Sequence, residues 1–76
     1  MIEEIARQIQ EAALVNKKVA MFHFQVLINA GELEGVDPAQ FCRDIGVRPP
    51  FATEFRKMIA LAKLMNQLGV MITRRH

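Results

Sequence analysis

A group of cationic and hydroxyl side chains lies close together in the second half of the chain: Arg43, Arg48, Thr53, Arg56 and Lys57. Guanidinium and ammonium groups bind phosphate oxygens, and a guanidinium also matches the two acceptors on the major-groove edge of guanine. Lys63 follows Lys57 about two helical turns later. These residue types favour recognition of a polyanion.

Catalysis and metal binding are poorly supported by the remaining residues. The chain has no Ser, Tyr or Trp, and its histidines are His23 and the terminal His76. A nucleophile would have to be Cys42 or a Thr with His23 as its base, but Cys42 is expected in a helix crossing as a small core residue. One Cys and two distant His cannot supply the four ligands of a structural zinc site. We therefore expect no enzyme activity, no metal, no cofactor and no small-molecule substrate.

The cationic side chains must be positioned by residues 39–58, which are predicted to form a short helix, a turn at Gly46-Val47 and a second helix. A helix-turn-helix unit buries few side chains between two steeply crossing helices, so it needs apolar residues at particular offsets. Gly46 lies where the turn favours a residue that tolerates a positive φ. The apolar residues at those offsets are Phe41, Ile45, Val47, Ala52 and Phe55.

The pattern along the whole chain predicts helices at about 2–15, 18–30, 38–45 and 50–68, followed by a basic tail at 70–76. Asn16 marks the first break because Asn tolerates the left-handed conformation that ends helices. Gly31 ends the second helix, and residues 31–35 are expected to form a flexible link. We therefore expect an all-α, compact four-helix single domain (residues 1–76) whose third and fourth helices form the helix-turn-helix.

The third predicted helix has the clearest start signal. Asp37 is a favourable N-cap, Pro38 suits the first helical position, and Gln40 is placed to complete a capping box. Pro49 and Pro50 belong in the first turn of the fourth helix, where backbone N–H groups have no helical partner.

The fourth predicted helix has two faces. Its buried stripe consists of Phe51, Phe55, Met58, Ile59, Ala62 and Met65. Its opposite face consists of Thr53, Arg56, Lys57, Ala60, Lys63 and Gln67. The second predicted helix is apolar over most of its circumference, which is typical of a central helix or of one that packs against a partner chain.

Charge is unevenly distributed along the chain. Residues 1–39 carry three cationic and six anionic side chains, a balance of −3, whereas residues 40–76 carry seven and two, a balance of +5. The basic half coincides with the predicted helix-turn-helix, which points to a polyanionic partner. The alternative is ordinary surface charge that keeps a small domain soluble.

The stretch FCRDIGVRPPFATEFRKMIALAKLM resembles the helix-turn-helix-like segments of small bacterial DNA-binding proteins. In these, a short Phe-containing helix ends in Ile-Gly-Val and leads into a longer basic helix. The resemblance covers residues 39–65, and Pro49-Pro50 stands where such proteins usually carry Ser or Thr. It implies DNA-contacting positions at Arg48, Thr53, Arg56 and Lys57. Arg56 is the expected base contact, and Arg43 and Lys63 are additional phosphate candidates.

Two functions fit these observations. The first is a small cytoplasmic DNA-binding or regulatory protein that contacts DNA through the basic face of the fourth helix. The alternative is a non-catalytic helical protein-interaction or dimerisation module that binds no nucleic acid. A homodimer is compatible with both functions. No apolar run approaches the ~20 residues that span a bilayer, and the acidic N-terminus is unlike a signal peptide, so we expect no membrane association.

Overall fold

The computed structural model describes residues 1–73. Its helices are α1 (Ile2–Ala13), α2 (Lys18–Ile28), α3 (Ala30–Leu33), α4 (Pro38–Ile45) and α5 (Phe51–Gln67). The described residues contain no strand, so the all-α prediction is confirmed, whereas the expected count of four helices is wrong. The predicted basic tail is not helical at 70–73, and its Arg74, Arg75 and His76 lie outside the described residues.

The additional helix, α3, occupies the segment that was expected to be a flexible link. Leu33 is fully buried in the core, and its N–H donates to the carbonyl of Asn29 at 3.0 Å. Burial of Leu33 therefore orders one helical turn between α2 and α4. The chain leaves this turn at Gly35, whose φ is +86°.

The first break lies close to its predicted place. Helix α1 ends at Ala13 rather than at residue 15, and Asn16 adopts the expected left-handed conformation with φ of 59°. The N–H of Lys17 then donates to the carbonyl of Ala12 at 2.8 Å. This bond closes the end of α1 and reverses the chain into α2.

The predicted start and end of α4 are confirmed. Asp37 accepts a hydrogen bond from the N–H of Gln40 at 3.0 Å, and Gly46 ends the helix in the left-handed conformation with φ of 75°. The side chain of Gln40 instead donates to Asp44 at 2.7 Å. The cap is therefore one-sided, without the reciprocal bond of a capping box.

Aromatic side chains join the helices at the centre of the core. Phe22 of α2 lies edge-on to Phe41 of α4 and Phe51 of α5, with centroid distances of 6.2 and 4.9 Å. Phe41 also contacts Phe55, at 4.9 Å. Such pairs add roughly 0.5–1.5 kcal/mol each beyond their buried area, so this cluster sets the positions of α2 and α4 relative to α5. Within residues 1–73, no helix combines the length and apolar character needed to cross a membrane.

Candidate nucleic-acid interface

Helices α4 and α5 and the turn between them form one packed unit. Ile45 and Val47 are buried on either side of Gly46, and the N–H of Val47 donates to the carbonyl of Cys42 at 3.0 Å. The N–H of Phe51 donates to the carbonyl of Arg48 at 3.0 Å. These bonds span the turn on both sides of Pro49, so the geometry between α4 and the start of α5 is fixed by backbone contacts as well as by the core.

The two predicted faces of α5 are present. Phe55 is buried, and the rest of the predicted stripe is at least half-buried. Phe51, Met58 and Ile59 pack against the core, whereas Ala62 and Met65 line an open groove. The opposite face is exposed, and it consists of Thr53, Arg56, Lys57, Ala60, Lys63 and Gln67. The structure therefore places four of the sequence-predicted contact residues, Thr53, Arg56, Lys57 and Lys63, on one solvent-facing surface of α5.

Glu54 is an anionic side chain within this cationic segment. Its Oε1 lies 2.8 Å from His23 Nε2 in α2, and its Oε2 lies 3.2 Å from Lys57 Nζ. Hydrogen bonds with His23 and then with Lys57 lower the pKa of Glu54 below its ordinary value. The carboxylate therefore faces α2 rather than the exposed surface, and Lys57 offsets part of its charge.

Several cationic side chains make no ion pair with a carboxylate of residues 1–73. Arg7, Lys57 and Lys63 are paired, the last with Glu34 at 3.3 Å. The unpaired cations are Lys17, Lys18, Arg43, Arg48 and Arg56. Arg43 only donates to the amide oxygen of Gln40, at 2.8 Å. No neighbouring carboxylate offsets the positive potential around an unpaired cation. The location of these side chains therefore indicates where an anionic partner is favoured.

Four of these unpaired cations, Lys18, Arg43, Arg48 and Arg56, lie near the α4–α5 turn. Arg48 lies in the turn itself, Arg43 lies in the last turn of α4, and Arg56 lies in the second turn of α5. Lys18 Nζ lies 5.5 Å from the ring centroid of Phe51, the first residue of α5. The cationic surface is therefore centred on the N-terminal end of α5.

Lys17 and Lys18 were not among the contact residues predicted from the sequence. They precede Phe51 by more than thirty residues in the chain. The packing of Phe22 against Phe51 and the contact of His23 with Glu54 bring α2 beside the start of α5. No local motif signals this proximity.

The candidate nucleophile and base named from the sequence, Cys42 and His23, have different environments in the structure. Cys42 is buried, and burial raises the pKa of its thiol, against the opposing effect of Arg43 and Arg56. His23 is engaged with Glu54. Residues 1–73 contain no group of three or more His, Cys, Asp or Glu side chains that could hold a metal ion.

A second surface is apolar. A groove of ≈ 610 Å³ lies between the end of α2 and the C-terminal half of α5, with Phe24, Leu27, Met65 and Met71 among its lining residues. Next to it, α5 exposes Leu61, Leu64 and Leu68, the last two by 49% and 68%. The exposed side of α5 thus carries Arg56 and Lys57 in its first turns, whereas its second half exposes leucines beside Lys63 and Gln67.

Comparison with known proteins gives one match. A family model described as an HTH-like domain matches residues 1–67, a range that includes all five helices. No curated protein and no solved structure matches the chain.

Proposed function

Because the chain belongs to the family of HTH-like domains, we propose that it is a small DNA-binding regulatory protein that contacts DNA through the basic face of α5. The single observation that carries this proposal is the position of the unpaired cations around the α4–α5 turn. In a helix-turn-helix, the N-terminal part of the second helix enters the major groove. The cations are therefore concentrated where phosphates and base edges would lie.

Each exposed polar residue of α5 has a distinct part in this proposal. Arg56 has no carboxylate partner within residues 1–73 and can pair bidentately with guanine O6 and N7. Thr53 lies on the same face one turn earlier and offers a hydroxyl to a base or a phosphate. Lys57 is partly neutralised by Glu54, so it contributes less than Arg56.

Phosphate contacts are assigned to Arg48, Arg43 and Lys63. Arg48 is exposed in the turn before α5, and Arg43 projects from α4. Lys63 must leave Glu34 to reach a phosphate, but an exposed pair of this kind contributes only about 0–1 kcal/mol. Its release therefore costs little compared with the gain from a phosphate contact. A protein with this role would be located in the cytoplasm, where it has access to DNA.

The experiment is a titration of a fluorescently labelled random duplex of ~30 base pairs, followed by anisotropy at low and at moderate salt. Binding through phosphates releases counterions, so the affinity is expected to fall steeply with salt concentration. Absence of binding at low salt, where even non-specific contacts are strong, would refute the proposal. The alternative function, that of a protein-interaction or dimerisation module, would then remain.

One observation favours this second function, a dimerisation module. Leu61, Met65 and Leu68 recur at i, i+4 and i+7, the spacing of a coiled-coil seam, and Leu64 lies beside them. Residues 64–73 and 19–31 contain no Lys, Arg, Asp or Glu. In a two-fold dimer the same patch contacts itself, so an uncharged patch can pair without repulsion between like charges. We therefore assign this surface to a second copy of the chain.

The two functions are compatible, since helix-turn-helix proteins commonly bind DNA as dimers. Sedimentation of the protein alone tests the dimer separately from DNA binding. A monomer at concentrations well above those used in the DNA titration would refute this assignment of the apolar surface.

A further inference from the structure

Lys17 and Lys18 lie at the start of α2, and the ammonium group of Lys18 lies beside the N-terminal end of α5. Lys17 is the N-cap residue of α2 and Lys18 its first residue. The ammonium group of Lys18 lies over the ring of Phe51, 5.5 Å from its centroid. This cation–π contact places a positive charge directly beside the first turn of α5.

The neighbours of α5 show which side these lysines occupy. Glu54 faces α2 through its contact with His23, whereas Arg56 lies two residues on, about 160° away around the helix. Arg43 lies in the last turn of α4, which packs against α5 through Phe41 and Phe55. Lys18 therefore lies on the α2 side of α5, with Lys17 adjacent to it in the chain, and Arg43 lies on the α4 side.

The dimensions of the DNA major groove favour cations on both sides of an inserted helix. The major groove is about 12 Å wide, and a helix with its side chains is about 10–12 Å in diameter. A helix inserted in the groove consequently has a phosphate backbone on each side. A protein with cations on only one flank would leave the other backbone without a counter-charge.

We infer that Lys17 and Lys18 bind the phosphate backbone on the α2 side of the groove, while Arg43 binds the backbone of the opposite strand. The inference rests on the proposed function, since it assumes that α5 enters the major groove. It extends the DNA interface to a helix outside the helix-turn-helix. Neither lysine has a carboxylate partner within residues 1–73, so both ammonium charges are available to phosphate.

The test uses Lys17→Met, Lys18→Met and the double variant. Methionine keeps an unbranched side chain of similar length and removes the ammonium group, which at Lys18 also removes the contact with the Phe51 ring. Arg7→Met is the matched control, because it also removes one cation, from an exposed site on α1 that is already paired with Glu4 and Glu11. Arg56→Gln reports separately on the proposed insertion of α5.

The readout is the slope of log K against log salt concentration for the same duplex. Each lost phosphate contact is expected to flatten the slope by about 0.9, and the double variant by about 1.8. Arg7→Met should leave the slope unchanged. Far-UV circular dichroism and thermal unfolding establish that each variant is folded, and Lys18→Arg should restore the slope, since it keeps the charge and the contact with Phe51.

Failure of this inference and failure of the proposed function give different experimental results. If Arg56→Gln weakens binding while the lysine variants behave like Arg7→Met, this inference is overturned and the proposed function stands. Absence of DNA binding by the unaltered protein overturns both. Lys17→Met alone decides the question if the Lys18 variants unfold, because the structure shows no aromatic contact for Lys17.

Discussion

His23 Nε2 lies 2.8 Å from Glu54 Oε1, and this contact joins the middle of α2 to the first turn of α5. The two side chains are each about one-third exposed. Together with Lys57, His23 turns a carboxylate away from the surface that carries Arg56 and Thr53. The contact therefore links the internal packing of the domain to the charge of its proposed DNA-binding face.

Glu54→Gln should change the pH dependence of stability. The pKa of Glu54 is lowered from 4.5 by His23 and Lys57, so its ionised form stabilises the fold above that pH, and this contribution is lost as pH falls through the lowered pKa. The melting temperature of Glu54→Gln should thus lie below that of the unaltered protein near neutral pH and approach it in acid. Glu3→Gln, at an almost fully exposed position, is the control and should show no such convergence.

Arg56→Glu with Lys57→Glu should abolish DNA binding and leave the fold intact, because both side chains are exposed on α5. Of the single neutral variants, Arg56→Gln should be the more damaging, by roughly 1–3 kcal/mol at a preferred site. Lys57 already shares its charge with Glu54. Anisotropy titrations with circular dichroism of each variant measure both effects, and equal losses for the two single variants would contradict the assigned roles.

Leu64→Lys should convert the proposed dimer to a monomer, since it places like charges opposite each other across a two-fold axis. Gln10→Lys adds the same charge at an exposed position of α1 and should leave the mass unchanged. Sedimentation equilibrium distinguishes the two outcomes. A dimer that survives Leu64→Lys would place its interface elsewhere.

Replacement of two glycines by alanine should change the stability of the protein in opposite directions. Gly46→Ala should destabilise by roughly 1–2 kcal/mol, because φ of 75° is unfavourable for a residue with a Cβ although the added atom meets nothing within 4 Å. Gly31 lies in α3 with equally free space for a Cβ, and Gly31→Ala should stabilise by roughly 0.4–1 kcal/mol. Urea denaturation of both variants measures the sign of each change in the free energy of unfolding.

Local signals in the sequence predicted most of the helical boundaries. Asp37 and Gly46 act through bonds and dihedral angles within a few residues, so their effects could be inferred without tertiary information. The helix at Ala30–Leu33 could not be inferred in this way, because it depends on burial of Leu33 in a core formed by distant residues.

The candidate site likewise contains residues that local patterns predict and residues whose positions depend on tertiary contacts. The exposed face of α5 follows from helical periodicity, so Thr53 and Arg56 were identified from spacing. The environment of Glu54 and the position of Lys18 depend on contacts between α2 and α5. Such contacts join residues remote in sequence, for which one sequence carries no local pattern.

Helix α5 continues for 17 residues without interruption, so its basic end and its leucine-bearing end belong to a single stiff rod. Arg56 and Leu64 are eight positions apart, or about 12 Å along the axis. Their angular phase is set by residue count alone, and insertion of one residue between them would rotate one end relative to the other by about 100°. In a two-fold pair of such rods, the spacing of the two DNA half-sites would be encoded in the length of this helix.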